Sequence, residues 1–378
     1  MNICINTLAI NSMNYGGGEK YLYYLIKNLA KIDKRNVYYI IVNAKFVKHF
    51  YVSNKNFHFI ELGKYTNRLK RVLFEQIMLK NIVKKYKIDV FHGPNNIIPL
   101  NLQCKTVLTN QYMYSYIVPE DYKPFYRRWY LNILMKMSAK KADKIISVSK
   151  SNKSQIQKYF GIPGDKIEVI YHGIDKVFKG KKRDRHIINK LKKHNIDEYI
   201  LFVGNNVLNK NIDNIIKAYQ YIESKYNVSH KLLIAGNIGF LSARRSWLEN
   251  ILRNDKNIIH IGYIENKMLP VLYSKASVFV LPSFCESFGI PLIEAMAVGV
   301  PIVTSNVFAM PEVTGNAALK VDPNNYRSIG NAIYRILSNE EIKKTLVKRG
   351  KKRISMFSWE NAARETLDVY QIVYKRND

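Results

Sequence analysis

The sequence predicts an α/β protein of two doubly wound parallel sheets, and three observations carry that prediction. Short β-rich runs alternate with longer amphipathic ones, the alternation stops at a polar basic stretch, and it then begins again. The chain of 378 residues, 47% of them hydrophobic, is long enough to bury two cores.

In the first half the strand-like runs are "NICINTLAI", "VYYIIV", "FHFIEL", "DVFHG", "KTVLT" and "KIISVS". Stretches such as "EKYLYYLIKNLAKI" and "SNKSQIQKYF" have helical spacing and separate them, as crossovers between parallel strands require. This half is assigned to residues 1–175. The stretch "HGIDKVFKGKKRDRHIINKLKK" has no strand-like run, and 176–195 is read as a linker. The second half, 196–357, supplies "YILFVG", "HKLLIAG", "NIIHIGY", "ASVFVLP" and "PIVTS". The last stretch, "WENAARETLDVYQIVYK" within 358–376, is a helix expected to pack back on the first half.

The first residues lack a basic region ahead of an apolar block, and no run approaches the roughly 20 apolar residues that cross a bilayer. Cys4, Cys104 and Cys285 are odd in number and far apart, unlike a disulfide framework or a zinc site. Both features predict a cytoplasmic protein. The net charge of +31 follows in part from a chain-wide richness in Lys, and otherwise points to an acidic partner, an anionic membrane surface or nucleic acid. No nucleic-acid motif or aromatic-basic repeat accompanies it, so nucleic acid is not expected.

In open parallel sheets, ligands sit beyond the carboxyl ends of the strands. After "ASVFVLP" comes "SFCESFGIPLIEAMAVG", in which Gly289 and Pro291 mark a helix start. Backbone N–H groups from Ser287, Phe288, Gly289 and Ile290 are candidates for holding a diphosphate. Glu286 falls in the loop and Glu294 about one turn inside the helix. A carboxylate accepts hydrogen bonds from vicinal hydroxyls, so Glu294 suits a ribose and Glu286 a hexose; the same spacing also suits solvated partners of a helix dipole. A second strand, loop and helix, "LFVGNNVLNKNIDN", offers Gly204 and Lys210 as another anion site. In "MNYGGGEKY", Gly16, Gly17 and Gly18 allow unusual backbone and close approach of a ligand.

"PSFCESFGIPLIEAMAVGVPIV" resembles the signature of the retaining GT-B glycosyltransferases of family 4, with its two Glu spaced E-x7-E. The resemblance extends to "NIIHIGYIENKMLPVLYSKASVFVLPS", "SNVFAMPEVTGNAALKVDP", "KADKIISVSKSNKSQIQKYFGIPGDKIEVIYHGID" and "GGGEKYLYYLIKNL", and so covers nearly the whole chain. It implies two Rossmann-like domains facing a cleft, without a cofactor. Glu294 would hold the ribose of a nucleotide, Lys210 the donor diphosphate and Glu286 the sugar, while Gly17 and Gly18 would face donor phosphate or acceptor.

The chain departs from the family in two places. The Arg usual in the Lys210 loop is absent where Asn205, Asn206 and Asn209 stand, with Arg244, Arg245 or the helix start as candidate replacements. In "TVLTNQYMYSYIVPEDY", alignment on Thr109 and Pro119-Glu120 puts Gln111 and Tyr112 where relatives carry His and Asp. Gln111 can hydrogen-bond a sugar hydroxyl but cannot act as cation or base. His92, Asn95, Asn96 and His172 are further candidates on the acceptor or sugar side, His92 being equally suited to a structural role and His172 to a hinge. No D-x-D or metal-ligand spacing occurs, which fits metal-independent transfer.

Two first-half segments, "RLKRVLFEQIMLKNIVKKYK" and "MYSYIVPEDYKPFYRRWYLNILMKMSAKK", mix cations with large apolar side chains, as suits an anionic bilayer interface. Core helices with basic outer faces would look the same. The expectation is a glycosyltransferase moving a hexose, mannose among the candidates, from a nucleotide diphosphate sugar to a lipid-linked surface glycan at the inner membrane face. The alternatives are a GT-B nucleotide-sugar epimerase, or a weakly active basic GT-B protein that binds membrane or nucleic acid.

Overall fold

The computed structural model describes residues 1–10, 16–63, 68–118, 125–180, 184–237 and 242–375, with side chains described for all of these but 68, 125–127 and 242–245. Pro119 and Glu120, used above to align Gln111, and the side chains of Arg244 and Arg245 lie outside the described residues. The chain forms two compact units, Met1–Gly173 with Ser358–Asp378, and Ile174–Phe357.

The first unit is built on seven strands: β1 (Asn2–Asn6), β2 (Val37–Asn43), β3 (Phe57–Leu62), β4 (Val90–Gly93), β5 (Lys105–Asn110), β6 (Lys144–Ser147) and β7 (Ile167–Val169). They pair in parallel in the order β3-β2-β1-β4-β5-β6-β7, so the winding reverses between β1 and β4. Strands such as "VFHG" and "KIIS" are buried along their length, as sheets covered on both faces demand. One face carries helix Gly17–Ile32 and the C-terminal helix Trp359–Lys375, whose Tyr21, Leu25, Ala363 and Tyr370 share a core. Tyr24 stacks on Trp359 with ring centroids 5.2 Å apart, tying the two ends of the chain together. Helices Arg68–Lys85, Phe125–Lys141 and Lys150–Phe160 cover the other face.

The second unit has six strands, β8 (Tyr199–Val203), β9 (Lys231–Ala235), β10 (Ile258–His260), β11 (Val278–Leu281), β12 (Ile302–Ser305) and β13 (Ala318–Val321). Their order is β10-β9-β8-β11-β12-β13, again all parallel, with the reversal between β8 and β11.

The stretch 176–195, expected to be a linker, belongs to this second unit. Phe178 in a short turn is fully buried beside Tyr273, and helix Arg185–Lys193 buries Ile187 and Leu191 under an N-cap from Asp184. Its two apolar anchors stand four residues apart on one face, enough to dock a helix whose other positions are mostly cationic. Among the described residues no helix is long and apolar enough to cross a membrane.

Gly204 and Gly236, which follow β8 and β9, pack backbone to backbone. A Cβ at Gly236, whose φ is +137°, would lie 2.0 Å from the Gly204 carbonyl oxygen. Gly236→Ala is therefore expected to destabilise the second unit by at least about 3 kcal/mol, read as a lowered midpoint in denaturant unfolding.

Candidate active site

The parallel order sets the geometry of the second unit. Because β8 pairs with β11, the loops after these two strands meet at the switch point of the sheet. The Lys210 ammonium lies 2.5 Å from Oε1 of Glu286, both side chains being largely buried. Ser283 donates to the same oxygen at 3.1 Å, and its own carbonyl accepts from the Ser305 hydroxyl at 2.7 Å.

Contacts from Asn209 and Asn211 lace the two loops, and one of them reaches the loop after β13. Asn209 accepts from the Phe284 N–H at 2.8 Å through its carbonyl, and its side chain donates to the Cys285 carbonyl at 3.2 Å. Asn211, fully buried at φ +60°, donates from its amide to the carbonyls of Pro282 at 2.9 Å and Pro323 at 2.7 Å. Asn tolerates this left-handed conformation, which turns the chain from the Lys210 loop into helix Ile212–Tyr226. Asn209, standing where the resemblance expects an Arg, thus serves to hold Lys210 against the Glu286 loop.

Helix Ile290–Val298 begins after Gly289, whose φ of +87° favours glycine, with Pro291 in its first turn. Glu294 is 2% exposed and accepts a hydrogen bond from the Tyr273 hydroxyl at 3.1 Å. Burial, and then the Glu294 charge, holds the Tyr273 phenol well above its ordinary pKa, so it remains a donor. Phe288 is a core residue whose ring meets Phe357 edge-on at 5.7 Å. Ser287 and Ile290 are half-buried at the helix start. The loops after β8 and β11 thus bring the Lys210 ammonium against the Glu286 carboxylate, while Glu294, in the helix that follows, is buried against Tyr273. Tyr273 and Ser283 carry no motif that sequence reasoning could use.

In the first unit the glycines of the "GGG" run take ordinary backbone. Gly16 has φ −64°, Gly17 and Gly18 lie inside the helix, and a Cβ at Gly16 or Gly18 would meet nothing within 4 Å. Space beside the backbone, rather than a left-handed turn, is what they provide. Met13, Asn14 and Tyr15 of the same loop lie outside the described residues.

The loops after β4 and β5 are laced by Asn96, at φ +65° and buried. Its Oδ1 accepts from the Gln111 N–H at 2.7 Å and its Nδ2 donates to the Tyr112 carbonyl at 3.0 Å. The Gln111 side chain donates to the Pro94 carbonyl at 3.3 Å, and Asn95 is half-buried beside it in sequence. Asn96 is thus a brace rather than an open contact.

His92 is withdrawn further. It is 0% exposed, with Nδ1 paired to the Tyr370 hydroxyl at 2.6 Å and Nε2 to Thr109 Oγ1 at 2.7 Å. Thr109 Oγ1 in turn lies 2.9 Å from the Tyr21 hydroxyl. The acceptor-side role considered for His92 is therefore corrected to a structural one, because both ring nitrogens are engaged inside the core. His172 is also buried, between Tyr21 and Trp359 with ring centroids 5.3 Å from each. Among the described residues there is no group of three or more His, Cys, Asp or Glu arranged to hold a metal ion.

Burial pulls the pKa of His92 and of His172 down to about 3. In the unfolded chain these rings take up a proton near the ordinary value of about 6.5, whereas the folded ones stay neutral. The unfolded state thus binds more protons below that value, and stability falls with falling pH by up to about 1.4 kcal/mol per unit for each ring. Urea unfolding at pH 7, 6 and 5 should show this loss; a flat profile would remove the neutral buried rings from the account.

Comparison with known proteins agrees along the whole length. The family model for glycosyltransferase family 4 matches residues 15–177, and that for glycosyl transferases group 1 matches 183–353. O-antigen chain mannosyltransferase B of Escherichia coli is 31% identical over 300 residues, covering 77% of this chain and 76% of that protein. A Campylobacter jejuni protein, N-acetylgalactosamine-N,N'-diacetylbacillosaminyl-diphospho-undecaprenol 4-alpha-N-acetylgalactosaminyltransferase, is 25% identical over 380 residues, covering 95% of this chain and 97% of that one. Among solved structures, sucrose-phosphate synthase of Thermosynechococcus elongatus superposes with a TM-score of 0.78 at 20% identity over the whole of both chains. Two parallel-sheet units, the family models on each half and the mannosyltransferase relative lead to one conclusion: the chain belongs to the family 4 glycosyltransferases of GT-B fold and is a glycosyltransferase.

Proposed function

We propose that this glycosyltransferase transfers a hexose, mannose by analogy with its Escherichia coli relative, from a nucleotide diphosphate sugar to a growing surface glycan with retention of configuration. The acceptor is lipid-linked, as the diphospho-undecaprenol in the name of the Campylobacter jejuni relative suggests. The enzyme works in the cytoplasm at the inner membrane face. The observation that carries the proposal is the junction of Lys210, Glu286 and Glu294 at the β8/β11 switch point.

Glu294, held by Tyr273, grips the vicinal hydroxyls of the ribose. Lys210 leaves Glu286 for the diphosphate and stabilises the negative charge that grows there as the glycosidic bond breaks. Glu286 then orients the sugar hydroxyls, and the start of helix Ile290–Val298 adds a favourable dipole. The Lys210 ammonium performs the charge neutralisation without a metal ion.

Thermal unfolding with UDP, GDP, ADP and dTDP, followed by transfer of labelled mannose to polyprenyl-diphosphate glycans, tests the proposal. One nucleoside diphosphate should stabilise the protein by about 2.7 kcal/mol at one hundred times its Kd. Stabilisation by none of them would refute the donor reading.

A further inference from the structure

The second unit carries a cleft that the loops of Lys210 and Glu286 do not line. Helices Ile212–Tyr226 and Ser242–Asn254 lead into β9 and β10, so their C-terminal ends lie at the amino ends of those strands, opposite the loops that follow β8 and β11. Glu223 stands twelve residues beyond Asn211 on the first of these helices, about 18 Å further along at about 1.5 Å per residue. Four amides, those of Gln220, Asn250, Asn254 and Asn257, and two carboxylates, Glu223 and Asp255, line a cleft of about 340 Å³ there.

Its polar groups are already set in place. Asn257 Nδ2 donates to Glu223 Oε1 at 2.7 Å, and the Tyr219 hydroxyl donates to the same oxygen at 3.2 Å. The Asn257 N–H donates to Asp255 Oδ1 at 3.0 Å, and Asn254 Nδ2 donates to Asn250 Oδ1 at 3.4 Å. Each amide has two N–H donors and a carbonyl, and each carboxylate has two oxygens, so these bonds orient the groups and leave donors and acceptors side by side.

The lining narrows the ligand. Glu223 and Asp255 repel an anion, even in a chain whose net charge is +31. Two carboxylates with Lys256 beside them make a poor cage for a divalent cation such as calcium, which takes about six to eight oxygens. Among the described residues no aromatic side chain lines the cleft for a base to stack on, and Ile251 alone is apolar, too little for a hydrophobic ligand. A neutral polyhydroxyl ring meets all these conditions. Its hydroxyls both donate and accept, which matches amides set beside carboxylates, and its C–H face can rest on Ile251.

We propose that this cleft is a second carbohydrate-binding site, remote from the loops of Lys210 and Glu286. Its volume lies at the lower end of the roughly 300–1,000 Å³ of small-molecule sites, which suits the end of a glycan better than a whole nucleotide sugar. A glycan held here stays on the enzyme between transfers, which raises its effective concentration at the reacting end. That the saccharide is the growing glycan rests on the function proposed above, whereas the lining asks only for a sugar.

Calorimetric titration of the full-length protein with tetrasaccharides of mannose, glucose and N-acetylglucosamine, and with the matching monosaccharides, tests the site. At least one of them should bind, and Asn250→Ala with Asn254→Ala should weaken it at least about tenfold. Glu223→Gln should weaken it in the same direction. Asn250 and Asn254 are exposed on a helix where Ala is well tolerated, so the double variant should keep the nucleotide-induced stabilisation and the kcat of the parent while its KM for a tetrasaccharide acceptor rises. Tighter binding of a tetrasaccharide identifies a glycan chain as the source and equal binding of the monosaccharide a free sugar; either result supports a carbohydrate site.

No saccharide binding, or binding unaffected by both variants, would overturn the proposal. Calcium binding that Glu223→Gln abolishes, with no effect of either variant on saccharides, would assign the cleft to a cation and overturn it as well. The donor reading is tested apart from this cleft. Nucleotide stabilisation without saccharide binding sinks only the second site, and saccharide binding lost in the double variant, without nucleotide stabilisation in the parent, sinks only the donor reading.

Discussion

Lys210→Ala is expected to lower kcat by about 10²–10³-fold while leaving the second unit folded. The ammonium sits 2.5 Å from Glu286 and is held there by the Asn209 and Asn211 contacts with the loop after β11. Removing it takes away a charge that matters most when the diphosphate becomes fully anionic, so the loss should fall on kcat more than on KM. Lys210→Arg should recover part of the rate, since it restores the charge with a different shape. Glu286→Gln separates the two roles. It frees Lys210 from its ion pair, so binding of the bare nucleoside diphosphate is retained or strengthened while transfer falls. Steady-state kinetics and thermal titration of these three variants provide the check. A Lys210→Ala enzyme with kcat within a factor of about two of the parent would remove Lys210 from the reaction.

Glu294→Ala is expected to abolish nucleotide-induced stabilisation and to lower the intrinsic stability of the second unit by about 1–3 kcal/mol. The two effects have different origins. The first would be loss of the carboxylate proposed to grip the ribose. The second arises because the Tyr273 hydroxyl, fully buried and donating to Glu294 at 3.1 Å, would be left without its acceptor. Tyr273→Phe distinguishes them. It removes the donor but keeps the carboxylate, so the nucleotide shift should persist with weakened affinity while stability changes by only about 0.5–1.5 kcal/mol. Denaturant unfolding with and without nucleotide reads both quantities, and an undiminished shift in Glu294→Ala would take Glu294 out of the nucleotide site.

Much of this arrangement was legible along the chain. Gly289, Pro291 and the apolar run that follows mark the start of helix Ile290–Val298, and the spacing of Glu286 and Glu294 places one carboxylate before the helix and one a turn inside it. Turn chemistry and periodicity are properties of a few adjacent residues, so they can be read directly. Helix Arg185–Lys193 escaped because only Ile187 and Leu191 carry its buried face amid lysines. His92 suited an acceptor-side and a structural role equally because its position at a strand end was visible and its partner was not. Tyr370 lies 278 residues further on, and only the return of the C-terminal helix to the first sheet brings its hydroxyl to the ring.

The mixed apolar and basic segments show the same division. Scattered apolar positions in "RLKRVLFEQIMLKNIVKK" fit either a core helix or an interfacial one. Packing separated them into Val72 and Leu79 inside and Leu73 and Ile77 outside, and it did the same for the helix beside it.

By itself the sequence determined two doubly wound parallel units, most of their strands and helices, though not β7, β13 or helix Arg185–Lys193, and the loops that carry the polar groups, since backbone propensity, capping and turn residues act locally. Only the tertiary structure decided that Lys210 meets Glu286, that Tyr273 holds Glu294, and that His92 is sealed in the core. Those partnerships follow from strand order, above all the adjacency of β8 to β11 and of β1 to β4, and from the docking of the last helix. Such adjacency is fixed by which faces bury one another across long stretches of chain, a choice that no local pattern of residues contains.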